Sequence, residues 1–184
     1  NLFNRDLGGH NLDKQTQSSM LATWNPFSDE STSWFDAKWM FGVIDGFDVV
    51  IGNPPWGADS AKSDIIKKRN KDIIVRMVDS FMFFINESFR LSTNEGNVCF
   101  IVPDVVLYQN DNKKLREKIL NKFCLNSAIN LGDGIFNEVT RASCILIVNK
   151  QKERNKARIG SFKNGNKIDP KNIPLVDSNQ FLLL

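Results

Sequence analysis

The chain has 184 residues, of which 41% are hydrophobic, and carries a formal net charge of +3. That length suits one domain with a sizeable core, or one domain and a tail, and no apolar run is long enough to span a bilayer. The first residues hold no basic start followed by an apolar signal core, so secretion is not indicated and a cytoplasmic setting is expected.

Charge of this size does not by itself diagnose nucleic-acid binding. Its distribution says more: Lys62, Lys67, Lys68, Arg69, Lys71 and Arg76 cluster in one stretch, and Lys150, Lys152, Arg154, Lys156, Arg158 and Lys163 in another. Each run reads either as a solvated face or as a DNA-phosphate contact. Cys99, Cys124 and Cys144 each lie in or beside an apolar run, and buried free thiols are expected. With one histidine, His10, in a polar segment and no paired cysteine spacing, no metal site is expected.

In chain order, residues 1–33 are a polar lead-in, and their Gly8-Gly9 pair belongs to no dinucleotide-binding fingerprint. Ser33 to Phe41 brings Trp34, Phe35, Trp39 and Phe41, enough aromatic surface to dock onto a core. Asp45-Gly46 is a turn signal. It leads into Phe47-Asp48-Val49-Val50-Ile51-Gly52, whose β-branched run fits a parallel strand covered on both faces. Pro54 removes a backbone donor and forces Asn53 to be extended, so the strand ends there.

The residues that follow, Asn53-Pro54-Pro55-Trp56, organise the rest of the chain. Two consecutive prolines fix their φ angles and carry no N–H groups, Asn53 adds a side-chain carbonyl, and Trp56 adds a flat ring. The set suits a planar amine, offering two acceptors for its hydrogens and a surface for its π-face. An amine conjugated to a ring is a poor nucleophile. Acceptors placed for a tetrahedral nitrogen favour the form whose lone pair faces an electrophile, which is complementarity to the transition state. The plainer alternative is a proline-rich turn with Trp56 as a core anchor.

Beyond Gly57 a short helix is expected to about Lys68, capped by Asp59 or Ser60. A long, heavily buried helix follows over Asp72–Leu91, with Ile74, Val78, Phe81, Ile85 and Phe89 on one face and Ile73, Met77 and Phe84 widening the stripe. Asn97 to Val102 reads as a strand ended by Pro103, Asp111 to Lys122 as an amphipathic helix, and Ser127 to Leu131 and Ala142 to Val148 as two further strands. The short connection between those last two predicts that they run antiparallel. Pro103-Asp104 followed by Asp111-Asn112-Lys113 faintly imitates a nuclease metal site, but the separation is short and the strand end already explains it.

Phe47 to Gly57, FDVVIGNPPWG, resembles the catalytic motif of DNA adenine methyltransferases that use S-adenosylmethionine. The later segments Gly96 to Pro103, Leu131 to Phe136 and Cys144 to Val148, and the aromatic lead-in from Asp36 to Phe47, are similar to the long restriction-modification members of that family. The resemblance covers about residues 34–150, and the tetrad is its specific part. It implies an α/β fold, the C-terminal half of a Rossmann-like methyltransferase, with a mostly parallel sheet and an antiparallel last strand.

By position, the resemblance implies that Asn53 and the Pro54 carbonyl accept the amine hydrogens, with Pro55 completing the rigid turn. Trp56, where the family usually has tyrosine, stacks on the base, and Phe136 covers its other face. Asn53 and Phe84 border the cofactor, with Phe84 at its adenine pocket. Double-stranded DNA is the implied partner, with Lys62, Lys67, Lys68 and Arg69 as candidate phosphate contacts. Flipping a base out of a duplex costs a few kcal/mol. Stacking on an aromatic returns about 1–3 kcal/mol per base.

The expected organisation is a lead-in over 1–33, a partial catalytic domain over 34–150, and a basic connector over 151–184 towards a DNA-recognition domain. The family's Gly-rich cofactor loop and ribose-holding acid are not recognisable in residues 1–46. The chain is therefore expected to be a fragment of a larger enzyme, to bind S-adenosylmethionine weakly alone, and to be inactive alone. Its Asn53 strand is expected to need covering by the remainder of the parent polypeptide or the N-terminal segment, failing which its edge could self-associate. Two other functions fit the tetrad: a protein glutamine-N5 methyltransferase, whose substrate also presents a planar NH₂, and a non-catalytic interaction domain.

Overall fold

The computed structural model describes residues 19, 22, 25, 27, 28, 37–57, 64–76, 79–137, 140–151, 156–162 and 172–182. They fall into two compact units, 1–44 and 45–184. In the first, the described residues include a short helix, α1 (Ala37–Phe41). Trp34 and Phe35, expected to dock onto the core, lie outside the described residues, as does His10.

The second unit is built on a six-stranded sheet in the order β1-β2-β4-β3-β5-β6. Its strands are β1 (Phe47–Gly52), β2 (Ser92–Pro103), β3 (Cys124–Gly132), β4 (Ser143–Asn149), β5 (Lys156–Ser161) and β6 (Leu175–Asp177). Between them come the helices α2 (Asp64–Arg69), α3 (Ser80–Leu91), α4 (Val105–Tyr108) and α5 (Lys113–Lys122). β1, β2, β3 and β5 share one direction, and β4 and β6 oppose it.

The expected mostly parallel sheet needs one correction. Four of the six strands point the same way, yet of the five pairings only β1·β2 and β3·β5 are parallel. The cause is the position of the antiparallel β4, which lies between β2 and β3 and pairs with both.

Side-chain alternation along the strands gives two cores. Val98, Phe100 and Val102 of β2 and Cys144, Leu146 and Val148 of β4 project to one face, where Phe81, Ile85, Phe89, Leu115 and Ile119 of α3 and α5 cover them. Ile101, Ile129, Leu131 and Ile145 project to the other, against Ile173. Fully burying one such side chain is worth about 1.5–3 kcal/mol, and the first face, with the larger cluster, holds most of that stabilisation. Cys124 and Cys144 are buried thiols outside any disulfide among the described residues, while Cys99 is half-buried.

Two expected elements differ. The long helix begins at Ser80 rather than Asp72, because Asp79 is extended (φ −102°, ψ 148°) and Asn70 to Ile73 form a turn. Asn70 pins that turn: its backbone and side-chain N–H groups both reach the Ile66 carbonyl, and its Oδ1 accepts from buried Asn86 at 2.7 Å. Ile73 is fully buried without being helical. The segment after residue 150, read as a connector, instead extends the sheet. β5 pairs with β3 from Ser127↔Arg158 to Asn130↔Ser161, β6 pairs with β5, and the 3₁₀ turn Ser178–Leu182 buries Phe181 completely.

β1 is also less covered than a buried parallel strand should be. It is the edge of the sheet among the described residues, and while Val50 packs on the core, Val49 is 59% exposed and Ile51 76%.

Candidate active site

β1 delivers Asn53-Pro54-Pro55-Trp56 at the carboxyl end of the sheet, and Gly52 decides how closely the turn sits. A Cβ on Gly52 would stand 2.9 Å from Phe100 Cε1, so only glycine lets the Phe100 ring lie under the tetrad. Asn53 and Pro55 are exposed, Pro54 is buried and Trp56 is half-buried. Neither the Asn53 side-chain oxygen nor the Pro54 carbonyl has a hydrogen-bond partner among the described residues. The Pro55 carbonyl is different, because Ser80 Oγ donates to it at 2.5 Å.

The turn is held from behind by the start of α3. The Gly57 N–H donates to both carboxylate oxygens of Asp79, at 2.9 and 3.0 Å. Asp79 therefore spends its side chain on the tetrad turn and makes no capping bond to its own helix. Its Oδ2 also lies 3.6 Å from Arg141 Nη1. Trp56 and Phe136 meet directly, with centroids 5.6 Å apart and planes at 78°. The indole Nε1 is enclosed and has no partner among the described residues.

The tetrad separates two concavities. One, of about 610 Å³, is lined by Asn53, Trp56, Phe136, Thr140 and Arg141 along with the prolines. The other, of about 620 Å³ and largely apolar, is lined by Ile51, Asn53, Pro54, Ile65, Phe84 and Glu87 among others. Asn53, Pro54 and Pro55 border both. A third hollow behind Gly57 and Asp79 is lined by Asp104, Tyr108 and Asp111. There Asp104 accepts from Tyr108 Oη at 3.1 Å, and burial, then the Asp104 charge and hydrogen bond, push the Tyr108 phenol up. Asp111 lies 3.7 Å from Arg76, so both carboxylates of the nuclease-like spacing already have partners.

The structure thus brings Asn53, Pro54, Pro55, Trp56 and Phe136 together. The aromatic pair is not two parallel walls, however: a base stacked on Trp56 would stand at the same steep angle to Phe136. Phe84 is 48% exposed rather than heavily buried, because it faces the second concavity instead of the sheet. Among the basic residues, Lys67 and Lys68 are exposed on α2, Arg69 is bound to Glu87 at 2.8 Å, and Lys62 lies outside the described residues. In the second basic run, Lys150 donates to the Ser92 carbonyl and Arg158 to that of Ile173, so both serve the fold.

Sequence reasoning missed Asp79, Ser80 and Arg141. Asp79-Ser80 reads as the middle of an apolar helix, and no local pattern links it to a turn 22 to 25 residues earlier. Arg141 belongs to the connection between β3 and β4, far in sequence from the tetrad and from Asp79-Ser80.

Known proteins are similar to this chain in sequence and in fold. A protein of Methanocaldococcus jannaschii named as a type II restriction enzyme and methyltransferase is 36% identical over 126 residues, which are 64% of this chain and 10% of that protein. The solved methyltransferase subunit of a type I restriction-modification system from Streptococcus thermophilus superposes with a TM-score of 0.55 at 18% identity, over 76% of this chain and 31% of that one. A Listeria monocytogenes structure assigned to the class I S-adenosylmethionine-dependent methyltransferases gives 0.53 at 22% identity, over 65% of this chain and 38% of its own. The fold is therefore that of the class I methyltransferases, and the chain spans only a small part of the length of these proteins. The Eco57I restriction-modification methylase family matches residues 4–136, most of the sequence and the whole tetrad. The chain belongs to that family.

Proposed function

We propose that this chain is the part of a DNA methyltransferase that grips the target base, and that the transfer goes to the exocyclic amine of a flipped adenine within a restriction-modification system. One observation carries the reading. Asn53 and Pro54, two acceptors without partners among the described residues, stand between an aromatic cleft and an apolar one. A substrate amine and a methyl donor approach each other across such a partition.

In this reading Asn53 Oδ1 and the Pro54 carbonyl accept the two amine hydrogens and turn the nitrogen lone pair towards the second cleft. Pro55 contributes rigidity, and its carbonyl already accepts from Ser80 Oγ. Trp56 stacks on the base, and Phe136 meets its edge. No general base is required at the tetrad, because the amine proton can leave after the methyl group arrives. The apolar cleft suits the adenine ring of S-adenosylmethionine, with Phe84 and Ile51 as its surfaces and Asn53 at its mouth. The bound cofactor supplies a methyl group on a sulfonium. Lys67 and Lys68, exposed on α2, are proposed phosphate contacts without a partner among the described residues, and DNA is the partner they would serve. The full activity belongs to the parent polypeptide.

The second reading, methylation of a protein glutamine amide, shares the acceptor pair. The Trp56–Phe136 pair favours a flat base over a flexible amide. The test uses the full-length polypeptide, labelled S-adenosylmethionine and duplex DNA, with products resolved as nucleosides. Label in N6-methyladenine, lost in Asn53→Ala, is the expected result. Label in protein amide, or undiminished transfer by Asn53→Ala, defeats the reading.

A further inference from the structure

We infer that Asp79 and Ser80, at the start of α3, are positioning residues that set the tetrad for transfer and tie it, through Arg141, to the loop carrying Phe136. The inference rests on the proposed methyl transfer at Asn53–Trp56 and adds the residues that hold that site in shape.

The geometry is specific. Ser80 is buried, and its Oγ donates to Pro55 O at 2.5 Å. This bond engages Pro55 O, whereas Asn53 Oδ1 and Pro54 O have no partner among the described residues. The neighbouring bond fixes the other end of the turn. Gly57 N–H lies between the two carboxylate oxygens of Asp79, so the segment from Pro55 to Gly57 is gripped at both ends by consecutive residues of one element. Trp56 lies between the two grips. An Asp at a helix start ordinarily accepts from its own helix. Here that cap is absent, and the carboxylate points outward to the turn.

The same carboxylate reaches the second aromatic loop. Arg141 Nη1 is 3.6 Å from Asp79 Oδ2, and Arg141 lines both the aromatic cleft and the hollow behind Asp79. Its guanidinium lies over Gly57, within 3.3 Å of where a Cβ would stand. Exposed ion pairs of this kind contribute little to stability, so the contact matters for where the loop rests, not for whether the domain folds. A perturbed Asp79 would leave the acceptors and both rings present but misaligned, and misplacement by about 1 Å can cost a hundredfold in rate.

The test is made in the full-length polypeptide, with single-turnover methyl transfer and separately measured DNA affinity. Ser80→Ala and Asp79→Ala are expected to slow transfer by roughly tenfold or more, with the dissociation constant for DNA changed by less than about twofold. Should Ser80→Ala lose helical signal, Ser80→Cys, close in size but a weak donor, takes its place and is expected to be equally slow. Asp79→Asn keeps an acceptor for Gly57 N–H and drops the charge facing Arg141. Combined with Arg141→Gln it should be no slower than either single change, since both break one link. Wild-type rates in Ser80 and Asp79 variants, or a loss confined to DNA affinity, overturn the positioning role. Additive losses at Asp79 and Arg141 overturn the link between loops. Asn53→Ala run in parallel separates the cases: if it too retains activity, the proposed transfer site is wrong, whereas if it alone is inactive, only this inference fails.

Discussion

Removing the Phe181 side chain tests whether the end of the chain is part of the folded domain. Phe181 is fully buried, and the 3₁₀ turn that carries it, Ser178–Leu182, packs against α4, α5 and β5. Phe181→Ala deletes a whole ring from a fully buried site. Such truncations cost about 3–5 kcal/mol, a large share of the roughly 5–15 kcal/mol that separates a folded domain from its unfolded chain. For a chain of this length that corresponds to a fall of about 6–20 °C in Tm. Leu175→Ala is the matched control, because Leu175 is 57% exposed and its loss should change stability by less than about 0.5 kcal/mol. Urea and thermal unfolding followed by far-UV circular dichroism measure both. Equal stabilities for the two variants would refute the placement of residues 172–182 in the core and return them to the role of connector.

Gly57 has a φ of 71°, and a side chain there costs about 1–2 kcal/mol. Gly57→Ala should therefore lower Tm by about 2–8 °C; a scan superposable on wild type would contradict the left-handed turn behind Trp56. The second prediction concerns acid. Burial raises the Asp72 carboxyl, but the hydrogen bond and charge of Lys118, 2.5 Å away, outweigh it and hold the group below its ordinary value of 3.8. A folded-state value depressed in this way contributes stability that is present above the unfolded value and lost as pH falls through the folded one. The stability gap between wild type and Asp72→Asn should hence be constant near neutral pH and shrink below about pH 4. Denaturant melts across that range measure it, and a gap independent of pH would show that the pair contributes nothing.

What could be read from sequence was what is local. Val49-Val50-Ile51 followed by Asn-Pro-Pro announces its own strand and its own stop, because the β-branched run and the proline act within a few residues. The apolar runs of β2 and β4 were equally visible, since both faces of each are covered. The start of α3 was not, because Ile73 and Ile74 keep helical spacing while packing from a turn that Asn70 fixes through Ile66 and Asn86. β5 was hidden by its charges: Lys156 and Arg158 flank Ala157, which is fully buried, and six residues with only Ala157 and Ile159 apolar look like a solvated stretch. The acceptor pair and Trp56 were legible as chemistry, but the groups that hold them were not. Asp79, Ser80 and Arg141 acquire their meaning only when the sheet has folded and brought three distant segments to one end.

The insertion of β4 between its neighbours has a consequence for how such a site can change. Two adjacent antiparallel strands can be joined by 2–5 residues, yet Gly132 and Ser143, paired at the ends of β3 and β4, are separated by residues 133–142. The surplus is what lets Phe136 reach across β2 to Trp56. Because the β3·β4 ladder beneath is paired independently of that excursion, a change in the length of the loop would shift the ring that faces the indole while the strands that anchor it keep their register.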